Sequence, residues 1–269
     1  MKIVNSSESN NTIKMLIYGS SGVGKTVFGS TAPDVLFLDV EAGTLSIADK
    51  KIDRVKIEKF SDIQEVYNFL KAGGHKYKTV VLDSLTETQK KSMDGILEKS
   101  GNEKPSIADW GTNIETIRKM VRAFRDLPIN VIFISLEQVE KDEITGTVIR
   151  MPGLQGKTLP AEIMGYVDIV GYMVAQEQID KATSVKSIIR LIRVQPGTNV
   201  SAKDRSAKLG TWVEPDFGKI YNTVFGEVKQ VAESVMTMSQ AGLSKPLANV
   251  TDKPKETMEQ KFKKLGGGK

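Results

Sequence analysis

Gly19-Ser20-Ser21-Gly22-Val23-Gly24-Lys25-Thr26 spells G-x-x-x-x-G-K-T, the spacing of a phosphate-binding loop. Such a loop needs a strand before it and a helix after it. The apolar run Ile13-Lys14-Met15-Leu16-Ile17-Tyr18 precedes it and reads as a buried parallel strand, and helix-compatible residues follow from Lys25. Glycines let the backbone wrap a phosphate with its N–H groups pointing inward. A helix starting near Gly24 adds its positive end. Lys25 then reaches the β and γ phosphates, and the Thr26 hydroxyl ligates Mg²⁺. The expected ligands of the loop are therefore a nucleoside triphosphate and Mg²⁺.

Composition sets the limits. The 269 residues suffice for one large or two small domains. Apolar residues make up 39% and charged residues 26%, an ordinary balance for a globular protein. No run approaches the roughly 18 apolar residues of a membrane span, and residues 1–11 lack the apolar core of a signal peptide. No membrane contact and a cytoplasmic location are expected. There is no cysteine, which excludes disulfides, thiolate chemistry and Cys-based zinc sites. The single histidine, His75, lies in a polar Gly-Gly-His-Lys turn and reads as a solvated residue. The net charge is +5, but residues 252–269 hold six lysines against three acids, so much of it belongs to a tail. Global basicity is thus a weak argument for nucleic acid.

Apolar runs over residues 13–18, 35–39, 79–83 and 129–135 read as buried strands, with a weaker edge strand over 54–58. Helices are expected over residues 61–72, capped by Ser61 and Gln64, and over 85–99. A longer helix carries Trp110, Ile114, Ile117, Met120, Val121, Phe124 and Leu127 on one apolar stripe, with Trp110 opening the core face and Pro128 stopping it. The pattern then changes. A hairpin is expected over residues 138–142 and 147–151 around Thr145-Gly146, and a short helix over 159–165. Strands over 166–176, 186–194 and 200–204 follow. The fold class is α/β: a mainly parallel sheet with helices on both faces and antiparallel C-terminal extension strands. The expected divisions are a flexible segment 1–12, a core 13–226, an amphipathic helix 227–243 and a flexible basic tail 244–269.

A phosphate loop alone fits kinases, GTPases, motors and recombinases. The second acid narrows the choice. Asp83 closes its strand and is the candidate partner for Mg²⁺, with a strand-end cap as the alternative. Ser84 rather than a glutamate follows it, so a base for water must come from elsewhere. Glu41, in Asp39-Val40-Glu41, offers one.

These features resemble the RecA family of P-loop nucleoside triphosphatases. There the strand after the loop helix ends in D-x-E, whose Glu activates water, and the strand holding the metal acid ends in D-S. Asp39-Val40-Glu41 and Asp83-Ser84 match. The resemblance implies ATP as the nucleotide cofactor, with Mg²⁺, and a γ-phosphate sensor at Ser135. Ser201-Ala202-Lys203-Asp204-Arg205-Ser206-Ala207 is similar to the K-N-R-F-G segment of RadA-type relatives. It implies that Lys203 and Arg205 reach a neighbouring subunit's nucleotide as a finger in trans, and hence self-association into a ring or filament. A solvated basic turn is the alternative. Over residues 13–226 the chain resembles, more closely than RecA itself, the compact phage ATPases, related to RecA, that accompany single-strand annealing. In that case the location is the host cytoplasm. Residues 1–12 are expected to be too short for the extra domain of full RecA, which argues against strand exchange.

The RecA resemblance also implies single-stranded DNA as partner, through loops around residues 99–106 and 138–160. Lys104, Lys141, Arg150 and Lys157 would meet phosphates there. Solvated loops are the alternative, and a single-strand-binding protein is a further candidate partner. A nucleotide-gated loader acting through a protein is the competing function. A small-molecule kinase would show an Arg-rich lid, and a GTPase an N-K-x-D motif after residue 135; neither is found.

Overall fold

The computed structural model describes residues 11–141, 146–179 and 186–226. Strand β1 (Lys14–Gly19) leads into α1 (Lys25–Gly29), β2 (Val35–Asp39), a 3-10 turn (Thr44–Ile47), β3 (Asp53–Lys56) and α2 (Phe60–Ala72). Then come β4 (Thr79–Asp83), α3 (Leu85–Ser100), α4 (Ile107–Arg125), β5 (Asn130–Lys141), β6 (Val148–Pro152) and α5 (Leu159–Tyr166). The chain continues through β7 (Ile169–Ile179), β8 (Lys186–Arg193), β9 (Lys203–Asp204), β10 (Trp212–Val213) and α6 (Phe217–Phe225).

These strands form one sheet in the order β10-β8-β7-β1-β5-β4-β2-β3, with β6 beside β5 and β9 beside β7. Strands β7, β1, β5, β4, β2 and β3 run parallel. Strands β6, β8, β9 and β10 pair antiparallel. The class is the α/β sheet the sequence leads one to expect.

The central strands are buried on both faces, as parallel strands under crossover helices must be. Alternate side chains feed two cores. Leu16, Tyr18, Val80, Leu82, Val131 and Phe133 face α2 to α5. Met15, Ile17, Phe37, Val81, Ile132 and Ile134 face α1 and α6. Phe217 opens α6 fully buried, with its ring 6.4 Å from Phe28 of α1. Truncating such a residue costs about 3–5 kcal/mol, so α6 holds the short α1 in place.

Several local expectations need correction. Helix α2 starts at Phe60, one residue early, with Lys59 at its N-cap position and Asp62 as the capping side chain, rather than Ser61 and Gln64. The Asp62 carboxylate accepts the backbone N–H groups of Glu58 at 2.9 Å and Lys59 at 3.0 Å. Trp110 is not in the core: it is 37% exposed and Ile107 is 93% exposed, because the first turn of α4 stands clear of the layer beneath. Strand β5 does not stop at residue 135 but runs on to Lys141 as one arm of the hairpin. Helix α5 takes Tyr166, which delays β7 to Ile169. His75 is half-buried rather than solvated, stacked against Phe69 and Tyr77. The expected helix 227–243 and tail 244–269 lie outside the described residues, as do residues 1–10.

Candidate active site

The phosphate loop leaves β1 under tight steric control. A Cβ on Gly19 would stand 2.4 Å from the Met173 carbonyl of β7, so no side chain fits. Gly24 caps α1 at φ 105, the left-handed region that glycine enters without steric cost. Between them the loop borders a cavity of about 520 Å³. Four charged side chains line it: Lys25, Glu41, Asp83 and Arg190.

Lys25 is 8% exposed and donates to the Gly19 carbonyl at 2.9 Å and the Ser20 carbonyl at 2.7 Å. Burial lowers its pKa, and the charges of Asp83, Glu41 and Glu137 pull the other way. Thr26 Oγ1 donates to Asp83 Oδ2 at 2.6 Å. Asp83 ends β4 almost buried, and desolvation pushes its pKa up to about 6 against the opposing Thr26 hydrogen bond. A desolvated carboxylate beside a hydroxyl is an all-oxygen donor pair, which suits Mg²⁺ completing its shell with phosphate oxygens and water. Among the described residues no group of three or more acidic or histidine side chains converges, as an all-protein metal site would require.

Glu41 reaches the same cavity from the turn after β2. The Asp83 carbonyl fixes that turn by accepting the N–H groups of Val40 at 2.9 Å and Glu41 at 3.3 Å. The Ser84 hydroxyl donates to Glu41 Oε1. The other acid of the D-x-E unit turns away: Asp39 accepts from Arg54 at 3.2 Å and from Thr44 at 3.3 Å.

A family model described as an AAA domain matches residues 11–206, which span the loop, Glu41, Asp83 and the late basic pair. The chain belongs to this AAA domain family. It is a P-loop ATPase domain, and the sheet described above is its core. No curated protein matches the sequence. Among solved structures the chain is similar to a prototypical ATPase from the type III secretion system of pathogenic bacteria, at 16% identity and a TM-score of 0.41. The match covers 60% of this chain and 51% of that one, so the chain spans about half that ATPase's length. Among the described residues no helix is long and apolar enough to cross a membrane.

Other expected site residues of this AAA domain stand apart from the cavity. Ser135 is fully buried, and its hydroxyl lies 3.0 Å from Thr86 Oγ1 and 2.9 Å from the Leu136 carbonyl that accepts it. Because β5 runs past Ser135, the residue at loop level is Glu137. Its Oε1 accepts the Ser20 hydroxyl, and its buried Oε2 has no hydrogen-bond partner. Arg150 Nε of β6 lies 3.8 Å from that second oxygen.

Lys203 and Arg205 sit at the opposite end of the sheet, where β9 pairs with the first residues of β7. Lys203 Nζ donates to the Met164 carbonyl at 2.5 Å, and Arg205 donates to that of Gly165 at 2.6 Å. Both therefore occupy the carbonyl end of α5 within this chain. Lys104 lies in the exposed α3–α4 loop, Lys141 at the exposed end of β5 and Lys157 in the β6–α5 loop. That last loop is tied to α3, since Gln89 and Gln155 exchange hydrogen bonds of 2.9 and 2.7 Å. Arg190 had no sequence signal; it enters the site only through the pairing of β7 with β8.

Proposed function

We propose that this AAA domain is a Mg²⁺-dependent ATPase of the RecA-like kind, acting on single-stranded DNA in phage recombination. The observation that carries the reading is the chain Ser20–Glu137–Arg150. It links the phosphate loop to the hairpin of β5 and β6, where Arg150 and Lys141 lie. A change at the loop thereby has a direct contact through which to alter the hairpin.

In this reading Lys25 exchanges its two loop carbonyls for β and γ phosphate oxygens. Thr26 and Asp83 hold Mg²⁺, which when bound draws charge off the phosphoryl oxygens. Glu41 takes the proton of the attacking water, with Ser84 and the Asp83 carbonyl holding the carboxylate and its turn in place. Lys203 and Arg205 complete a neighbour's site in a ring or filament, head to tail, because they occupy the end of the sheet opposite the loop.

The test is the ATPase rate with and without single-stranded DNA, on wild type and on a Lys141→Ala/Arg150→Ala double variant. DNA stimulation that the double variant loses supports the reading. A rate indifferent to DNA in the wild type sinks it. A second reading is a nucleotide-gated loader acting through a protein, favoured by the exposed Ile107 and Trp110 on the first turn of α4. It gains if a protein, and not DNA, raises the rate.

A further inference from the structure

The cavity beside the phosphate loop holds one cation that the proposed mechanism does not use. Arg190 lies on β8 opposite Ala175 of β7, two residues past Met173, whose carbonyl closes on Gly19. Its Nε donates to the Val23 carbonyl of the loop at 3.1 Å. Its Cδ and Nε come within 3.1 and 3.2 Å of where a Cβ on Gly24 would stand. Among the described residues its two terminal nitrogens have no protein partner.

Charge gives this placement a purpose. Without Arg190 the charged lining is Lys25 against Asp83 and Glu41, a net negative wall facing an incoming polyanion. With it the wall is balanced before any metal arrives. Strand order then fixes which end of the polyanion it meets. Strands β5, β4 and β2, which bring Glu137, Asp83 and Glu41, lie on one side of β1; β7 and β8 lie on the other. The acids belong with the metal and water at the γ end.

We propose that Arg190 is a nucleotide-contacting residue supplied in cis, its free guanidinium nitrogens binding the α and β phosphates of the bound nucleotide. This rests on the ATPase reading of the loop. A guanidinium keeps one N–H on the Val23 carbonyl while its outer nitrogens fork onto phosphate oxygens, which an ammonium cannot do. The competing role is a brace, in which Nε merely stiffens the loop.

Equilibrium binding of ribose-labelled fluorescent ATP and ADP, each with Mg²⁺, separates the two on the full chain. The variants are Arg190→Ala, Arg190→Lys and Arg190→Gln, each checked for an unchanged melting midpoint. A charge-assisted hydrogen bond is worth about 1.5–3 kcal/mol, so Arg190→Ala should weaken ATP and ADP alike by roughly 10- to 100-fold. Lysine should recover part of that loss and glutamine none. Recovery by glutamine equal to that by lysine would make Arg190 a brace. An unchanged affinity in Arg190→Ala overturns the proposal, and a loss confined to ATP overturns its α/β assignment. A wild type that binds neither nucleotide removes the ATPase reading itself and this inference with it.

Discussion

Two buried lysines flank the central strand, and they are alike by every local measure. Lys14 opens β1 and Lys25 follows the loop at its other end; each is 8% exposed. Each gives its ammonium to two backbone carbonyls: Leu127 and Ile129 for Lys14, Gly19 and Ser20 for Lys25. Burial lowers the pKa of both, that of Lys14 to about 8. The difference is where the carbonyls come from. Those held by Lys14 lie 113 and 115 residues away, in the turn that joins α4 to β5, so its ammonium is a cross-link. Those held by Lys25 lie six and five residues back in its own loop. Phosphate oxygens can replace them without undoing any distant contact. Burial and the direction of the pKa shift are therefore the same for the cross-linking lysine and for the lysine proposed to meet phosphate; what differs is what their partners anchor.

The largest effect should come from the chemistry at the loop end of β1. Glu41→Gln keeps the size and the hydrogen-bonding reach of the side chain but cannot take a proton. Positioned proton transfer contributes about 10²- to 10⁴-fold, so ATP turnover should fall in that range while ATP affinity stays close to wild type. Single-turnover hydrolysis paired with a binding isotherm measures both. Undiminished hydrolysis would strip Glu41 of its role and leave the loop end with no base.

The lysines themselves come next, as a crossed pair. Lys25→Ala should cut ATP turnover by about 10²- to 10³-fold, the scale of one lost charge-stabilising donor, and should lower the melting midpoint less than Lys14→Ala, because Lys25 lines the cavity, where water can reach the Gly19 and Ser20 carbonyls it leaves. Lys14→Ala leaves the Leu127 and Ile129 carbonyls without their donor and should cost about 1–3 kcal/mol of stability. Its ATP affinity should stay within about twofold. If Lys14→Ala weakens nucleotide binding while the fold holds, the contrast between the two ends collapses.

The same contrast explains what the chain discloses as text. That the loop, Asp83 and Glu41 meet at one cavity is legible because each follows a short apolar run whose end is fixed by its own residues. Buried parallel strands read as continuous apolar stretches, and the topology puts their ends in one row. Ser135 misleads because the run it closes is not where the strand stops. Past it the alternating Leu136 to Lys141 segment belongs to the hairpin, so Glu137 and not Ser135 stands level with Ser20. Trp110 misleads because helical spacing says which face a residue shares, not whether a layer lies under that turn. Arg190 is illegible for a third reason. It is one charged residue in an edge hairpin, and only the register of β7 against both β1 and β8 carries it to a loop 167 residues earlier.

The smallest effect tests the structural side of the comparison by pH. Glu162 of α5 accepts from Arg118 of α4 at 2.6 and 3.1 Å and from Thr158 at 2.7 Å. The Arg118 hydrogen bonds, followed by that from Thr158, hold the Glu162 pKa down to about 2 from its ordinary value of 4.5. A carboxyl whose folded pKa is depressed adds stability that is complete above the unfolded value and disappears as pH falls through the folded one. Glu162→Gln should therefore be less stable than wild type at pH 7. The gap should narrow below about pH 4.5 and close near pH 2. Both side chains keep some exposure, at 24% and 30%, so the pair is worth only about 0.2–1 kcal/mol, a shift of at most about 4 °C in melting midpoint. Melts at pH 7, 4 and 2.5 measure it. Nucleotide affinity at pH 7 should not change, since neither residue lines the cavity. A deficit that persists unchanged at low pH would mean that Glu162 supports α5 by shape rather than charge, and that helix would then no longer belong with Lys14 among the ionic cross-links.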